Sequence, residues 1–181
     1  PLRQRLLNKT HKYGNDDDDA DALMTRTFRM LFDAIDGRPN SKGGAYRLEM
    51  LPTTCHVYFG EVCLASADGR GEGQPVSEGI SPVQGADRHG PTAVLKSASK
   101  MDHVKTGGTL LNMKFTPSLL EGDGGIDNLH SLVRSYFKLD GHHMQFNVVT
   151  ADLLREAKAD PASHRDLIVR VAGYSDYFCD L

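Results

Sequence analysis

At 181 residues, with a formal net charge of −3 and 39% hydrophobic residues, the sequence has the size and balance of a single folded domain. The slight negative charge disfavours both nucleic acid and an anionic membrane surface as partners. No apolar run approaches the roughly 20 residues that a membrane-spanning helix needs. The three cysteines, Cys55, Cys63 and Cys179, lack CxxC spacing, so we expect reduced thiols in a cytoplasmic protein.

The pattern along the chain alternates between helical and strand-like segments. Apolar residues recur at helical spacing after an acidic run, for which Asn15 or Asp16 is the expected N-cap. Helices are predicted over 15–35, 92–101, 124–141 and 150–160. Strands are predicted over 45–51, 53–65, 108–115, 142–149 and 165–173. This alternation predicts an α/β fold built from parallel βαβ units.

A long segment rich in glycine and proline separates the two halves of the chain. Residues 66–91 show neither helical nor strand periodicity, and a loop of this length is uncommon unless it has a function.

Several short motifs fail on their spacing. The acidic run 16–19 lacks the glycine and glutamate positions of a calcium loop, so helix capping is the preferred interpretation. Leu95 stands where a phosphate-binding loop has the glycine before its lysine. The adjacent His142 and His143 would point to opposite faces of a strand and could not share a metal ion. The sequence therefore predicts neither a metal site nor a nucleotide site.

The end of the sequence carries the most specific pattern. The stretch VRVAGYSDYF, residues 169–178, resembles the signature that closes the glycyl radical enzymes, with Gly173 at the position that carries the radical. Other stretches resemble the C-terminal part of this family in the same order: YGNDDD, DGRGEGQPVSEGISPVQGADRHGPTAVLKSASK, GTLLNMKFTPSLL and QFNVVTADLLREA. The similarity covers nearly the whole chain. It is strongest to the branch of glycerol and diol dehydratases and of choline and isethionate lyases, and pyruvate formate-lyase itself looks more distant.

The resemblance implies a radical mechanism. A separate activating enzyme, using S-adenosylmethionine and an iron–sulfur cluster, would remove a hydrogen atom from Gly173, so the chain itself is expected to bind no cofactor. The glycyl radical would then generate a thiyl radical on a catalytic cysteine that is preceded by glycine and followed by a glutamate base. Neither Cys55 nor Cys63 has this context, and Cys179 follows the radical glycine. We therefore expect a C-terminal fragment that is inactive without the remainder of the protein.

The resemblance also implies a fold and candidate site residues. The family fold is a ten-stranded α/β barrel of two halves, with the glycine on a finger loop at its centre. Residues 1–65 would end the pyruvate formate-lyase-like barrel domain, and residues 66–181 would form the glycine radical domain. His56 and Tyr58, on a predicted strand, are candidate substrate contacts, with packing against helices as the alternative. The apolar segment before Gly173 is expected to bury the radical loop.

Two functional hypotheses remain open at this stage. In the first, the chain is the radical-bearing end of a lyase or dehydratase that acts on a small molecule, with the activating enzyme and the rest of the barrel as partners and a homodimer as a further expectation. In the second, it is a free-standing radical subunit that repairs an oxygen-damaged enzyme. The absence of an initiator methionine at Pro1 favours the first.

Overall fold

The computed structural model describes residues 1–51, 55–171 and 173–181. The helices are α1 (Leu2–Lys9), α2 (Asp18–Ile35), α3 (Cys55–Val62), α4 (Pro91–Ser99), α5 (Asp123–Lys138) and α6 (Ala151–Ala159). The strands are β1 (Asn112–Phe115), β2 (Gln145–Val148), β3 (Ile168–Arg170) and β4 (Ser175–Tyr177). Short 3-10 turns lie at Pro117–Leu119, Pro161–His164 and Phe178–Asp180. Among these residues, no helix is long and apolar enough to cross a membrane.

Strands β1 and β2 and the helix between them form the predicted parallel βαβ unit. The two strands pair in parallel, from Asn112 opposite Gln145 to Phe115 opposite Val148, and α5 connects them. Because side chains alternate along a strand, each face of this pair has its own character. Met113 and Phe115 are buried in the core, where the Phe115 ring stacks on that of Phe146 with centroids 5.2 Å apart. The opposite face presents amide side chains.

Strands β3 and β4 form an antiparallel hairpin at the end of the chain. Ile168 lies opposite Tyr177 and Arg170 opposite Ser175, and the N–H of Val171 donates to the carbonyl of Tyr174 at 2.8 Å. The sequence predicted the first strand of this hairpin but not its return. The two sheets, β1–β2 and β3–β4, are separate.

The strand prediction for residues 53–65 is wrong where the structure describes them. Residues Cys55–Val62 form helix α3, and residues 52–54 lie outside the described part of the chain. A short run of apolar and aromatic residues fits either structure, so periodicity alone could not decide. Gly60 packs closely against the long loop, because an added Cβ would lie 2.4 Å from the carbonyl oxygen of Gln74. The predicted strand over 45–51 is likewise reduced to isolated bridges at Ala45 and Met50.

Helix α2 begins at the acidic run as expected, but with a different cap. Asp17 is the N-cap, and its carboxylate accepts hydrogen bonds from two backbone N–H groups of the first turn. The predicted caps, Asn15 and Asp16, are therefore wrong. Asp16 instead pairs with Lys96 at 2.9 Å, and Asn15 holds the long loop.

A buried carboxylate joins α2 to α4. The side chain of Asp21 is 0% exposed and accepts from the Ser97 hydroxyl at 3.0 Å and from the Lys100 ammonium at 2.7 Å. Burial alone would lower the pKa of Lys100, but its hydrogen bonds to Asp18, Asp21 and Asp16 outweigh this and raise it. The apolar core lies beside this pair and contains Phe28, Ile80, Val94, Leu95, Ala98, Met101, Leu111, Met113, Phe115 and Tyr136.

The segment 66–90 has no helix or strand, as predicted, and polar side chains hold it. The buried guanidinium of Arg70 donates to the carbonyls of Gln74 at 2.6 Å and Leu64 at 2.5 Å. The Asn15 side-chain oxygen accepts from the N–H of Arg88 at 2.7 Å. Arg88 thus contributes its backbone to holding the loop.

Candidate functional site

Gly173 lies in the turn of the β3–β4 hairpin. Its φ is +76°, a left-handed conformation that residues with a Cβ rarely adopt, and an added Cβ would meet nothing within 4 Å. Backbone conformation, rather than lack of space in this chain, therefore favours glycine here. Within this chain the preceding apolar strand does not bury the turn, since Gly173 is exposed and Ile168 is 56% exposed. Strand β3 is a hairpin strand with one open face.

The side-chain amide of Gln145 bridges two backbone groups of this turn. Its Nε2 donates to the carbonyl oxygen of Val171 at 3.0 Å, and its Oε1 accepts from the N–H of Gly173 at 3.3 Å. The same Oε1 accepts from Nε of Arg170 at 3.2 Å. Gln145 is the first residue of β2 and is only 8% exposed, so little water competes for these bonds. Its amide occupies the place that a backbone peptide takes in a sheet.

Two further amides extend this contact. Asn147 pairs with both backbone groups of Arg170: its Oδ1 accepts from the N–H and its Nδ2 donates to the carbonyl, each at 2.7 Å. Asn112 Nδ2 donates to the carbonyl of Val171 at 3.3 Å. We call Asn112, Gln145 and Asn147 the amide clamp. All three lie on the β1–β2 face opposite the core, and together they bind residues 170, 171 and 173 from one side.

A cavity of about 620 Å³ borders the clamp. Its lining includes His56, Glu78, Asn112, Asn147, Arg170 and Val171. Glu78 accepts a hydrogen bond from Asn112 Nδ2, the same group that contacts the Val171 carbonyl. Burial raises the pKa of the Glu78 carboxyl, and the Asn112 hydrogen bond and the nearby His56 offset only part of this. Within the described residues, His56 Nδ1, Glu78 Oε1 and Asn112 Oδ1 are buried without a hydrogen-bond partner.

The structure separates the two candidate substrate contacts. Both lie on α3 rather than on a strand, and residues two positions apart on a helix point to different sides. His56 lines the cavity, whereas Tyr58 is 76% exposed and does not. Their role in binding substrate stays a prediction.

The three cysteines are partly buried and form no disulfide. The thiol of Cys179 donates to the carbonyl of His164 at 3.3 Å, which ties the last turn of the chain to the segment after α6.

Near the N-terminus, His11 lies 2.6 Å from Asp17, and this contact raises the pKa of His11. Asp17 already serves as the α2 cap, so the interpretation of the acidic run as helix capping is confirmed.

Comparison with known proteins decides the family. The model of the glycine radical family matches residues 76–179, and a pyruvate formate lyase-like model matches residues 1–60. The chain belongs to the glycyl radical enzyme family. Gly173 and the amide clamp both lie within the glycine radical match.

Individual relatives include dehydratases and lyases of this family. It is 59% identical over 176 residues to trans-4-hydroxy-L-proline dehydratase of Clostridioides difficile, covering 97% of the chain and 22% of the relative. The structure of that organism's hydroxyproline dehydratase, with trans-4-hydroxy-L-proline bound, superposes with a TM-score of 0.96 at 57% identity, covering 99% of this chain and 23% of the other. The B12-independent glycerol dehydratase of Clostridium butyricum gives a TM-score of 0.94 at 44% identity, with the same coverage. The chain thus spans about a quarter of the length of these relatives.

The glycyl radical family could be recognised from the sequence, but the amide clamp could not. Gln145 and Gly173 are 28 positions apart, and no local pattern joins them. The amides at alternate positions of β2, Gln145 and Asn147, were the one available signal, since a buried amide needs hydrogen-bond partners. That signal says that partners exist but not where they lie.

Proposed function

We propose that this chain is the C-terminal part of a glycyl radical dehydratase and that Gly173 stores its radical. The observation that carries the proposal is the position of Gly173: it lies in an open, positive-φ turn inside the segment that matches the glycine radical family. A separate activating enzyme that uses S-adenosylmethionine and an iron–sulfur cluster would install the radical. A catalytic cysteine outside this chain would then receive it and abstract hydrogen from the substrate.

Radical chemistry gives glycine its role at this position. A radical on Cα flattens that carbon and is stabilised when the flanking amides lie in the same plane, because the nitrogen donates electron density and the carbonyl withdraws it. A Cβ would collide with its neighbours in this flat arrangement, and glycine has none. The absence of a side chain also lets a cysteine thiol or an activating enzyme approach Cα. In the structure this side of the turn is open.

The proposed substrate is a small hydroxylated molecule that loses water. Two observations support dehydration: the 59% identity to a hydroxyproline dehydratase, and the high structural similarity to a glycerol dehydratase. A cyclic hydroxy amino acid such as trans-4-hydroxy-L-proline is the first compound to test. The relatives described above are dehydratases, so the repair hypothesis gains no support from them.

The remaining features of the proposal concern the whole protein. We place the end of a ten-stranded barrel in residues 1–65 and the glycine radical domain, with its finger loop, in residues 66–181. The two family matches support this division, since one ends at residue 60 and the other begins at residue 76. The protein would act in the cytoplasm, as a homodimer, with the cofactor chemistry of activation confined to its partner enzyme. His56 is retained as a candidate substrate contact because it lines the cavity.

Anaerobic electron paramagnetic resonance tests the proposal. The full-length protein is incubated with its activating enzyme and S-adenosylmethionine, and we expect the doublet of a glycyl radical. Gly173→Ala should abolish the signal, whereas Gly85→Ala, a matched glycine with the same φ of +76° and nothing within 4 Å of an added Cβ, should keep it. A doublet that survives Gly173→Ala would overturn the assignment. A normal doublet without consumption of hydroxyproline would leave radical storage standing and reject that substrate.

A further inference from the structure

The turn of the β3–β4 hairpin that contains Gly173, which we call the radical turn, is bound to the β1–β2 sheet by side chains. The β1–β2 and β3–β4 sheets are separate, and the amide clamp bridges them with hydrogen bonds to the backbone of residues 170, 171 and 173. In a continuous sheet, backbone groups would form these bonds. Here Gln145 supplies both a donor and an acceptor, which is what a neighbouring peptide group would supply.

We propose that Gln145 is a positioning residue for the Gly173 radical: its side-chain amide fixes the orientation of the Gly173 N–H and holds the turn against β2. This inference rests on the proposed function, since it concerns the same glycine. It goes further by assigning a role to a residue outside the lining of the cavity described above. Gln145 acts through the backbone of Gly173 and of Val171.

The hydrogen bond to Gly173 bears directly on the radical. The nitrogen stabilises a Cα radical only while its amide plane is aligned with the half-filled orbital. An acceptor 3.3 Å from that nitrogen restrains the rotation of the amide and also makes the nitrogen a stronger electron donor. Because Gln145 is buried, the restraint persists without competition from water. Loss of the amide should therefore change both the geometry of the radical and its lifetime.

The second bond of Gln145 acts on the other side of the turn. Its Nε2 donates to Val171, and Asn112 donates to the same carbonyl oxygen. The carbonyl thus retains one donor when Gln145 is replaced, whereas the structure shows no other acceptor for the Gly173 N–H within the described residues. Replacement of Gln145 should consequently loosen the glycine more than the strand before it.

Two substitutions distinguish the acceptor function of the Gln145 side chain from its donor function. Gln145→Leu removes both functions at nearly constant volume. Gln145→Glu keeps an oxygen for the Gly173 N–H and for Arg170, but it loses the donor to Val171. A variant of another loop-holding amide, Asn15→Leu, is the control, because Asn15 binds the backbone at residues 86, 88 and 89 and not the radical turn.

The experiment uses the full-length protein and two measurements. Hydrogen exchange of the peptide containing residues 171–175 reports the clamp without any radical, and we expect exchange to accelerate about tenfold or more in Gln145→Leu. After activation, the doublet of Gln145→Leu should show an altered hyperfine splitting and a faster decay, and Gln145→Glu should stay close to the parent in splitting. Asn15→Leu should change neither measurement. Should Gln145→Leu fail to fold, the isosteric Gln145→Glu still reports through the exchange of this peptide, which should accelerate because the Val171 carbonyl loses a donor, while the Gly173 N–H keeps its acceptor.

The outcomes distinguish this inference from the proposed function. Parent-like exchange in the Gln145 variants overturns the positioning role, whether or not a radical forms. Faster exchange with an unchanged splitting and lifetime also overturns it, because the residue would then only hold the loop. Absence of a doublet in the parent rejects the proposed function and with it the radical-positioning role, while the exchange rates still show whether Gln145 holds the turn.

Discussion

Alanine at position 173 should abolish the radical and yet leave the fold nearly intact. The substitution adds a Cβ that would meet nothing within 4 Å, so no packing term opposes it. The cost comes from the φ of +76°, which for a residue with a Cβ amounts to about 1 kcal/mol. Gly85 has the same φ and equally open surroundings, and Gly85→Ala should cost the same amount.

Gly79 differs from these two glycines because an added Cβ would clash with a neighbouring backbone group. Gly79 also has a positive φ, of +58°, but an added Cβ would lie 2.2 Å from the carbonyl oxygen of Leu110. That oxygen accepts from the N–H of Ile80 at 3.0 Å, so it cannot move away without weakening a backbone hydrogen bond. Overpacking of this kind adds about 1–3 kcal/mol to the conformational cost. Gly79→Ala should therefore destabilise the protein by about 3 kcal/mol.

Urea unfolding followed by circular dichroism compares the three variants. The expected order is a small and equal loss for Gly173→Ala and Gly85→Ala and a loss about three times larger for Gly79→Ala. The reasoning fails if Gly173→Ala is as damaging as Gly79→Ala, since the open space at the turn would then be occupied. It also fails if the two open-turn variants differ by more than about 1 kcal/mol.

Three further predictions concern stability. Lys100→Met should lower the free energy of unfolding by about 3 kcal/mol, measured in urea. This is near the lower limit for breaking a buried ion pair, because Lys100 is 32% exposed. Adding Asp21→Asn should recover part of the lost stability. Burial lowers the pKa of His103, so at mildly acidic pH the unfolded chain binds a proton that the folded protein does not. The free energy of unfolding should therefore fall as the pH drops below about 6.5. His103→Gln should flatten this pH dependence. Thr150→Ala removes the cap that accepts from the N–H of Leu153 and should cost about 1 kcal/mol, measured by thermal or urea unfolding; a Thr150→Ser variant should retain most of it.

The sequence predicted those elements whose information is local. Helices α2, α4, α5 and α6 have apolar residues at helical spacing and recognisable starts, and all four are confirmed. The parallel pairing of β1 with β2 followed from a helix between two apolar strands. Helix α3 was missed because its run of eight residues is too short for its period to be decisive.

In the candidate site, the sequence pointed to Gly173 but not to the side chains that contact its turn. Gly173 could be found because the pattern around it is contiguous. Asp21 shows why its surroundings could not: in the sequence it is one more acid of a first helical turn, yet in the structure it is fully buried and bound to a lysine 79 positions away. The contacts of Gln145 are of the same kind. Pairings between distant segments depend on the completed fold, and the local pattern does not contain them.

The register of β1 and β2 connects the core to the radical turn. Asn112 and Gln145 are register partners, and both donate to the carbonyl oxygen of Val171, at 3.3 and 3.0 Å. On the opposite face the same register brings Met113 beside Phe146. Because side chains alternate with a period of two, a slip of one residue in either strand would turn its amides toward the core and its apolar residues toward the turn. The apolar packing that fixes the register therefore also places the amides that hold Gly173.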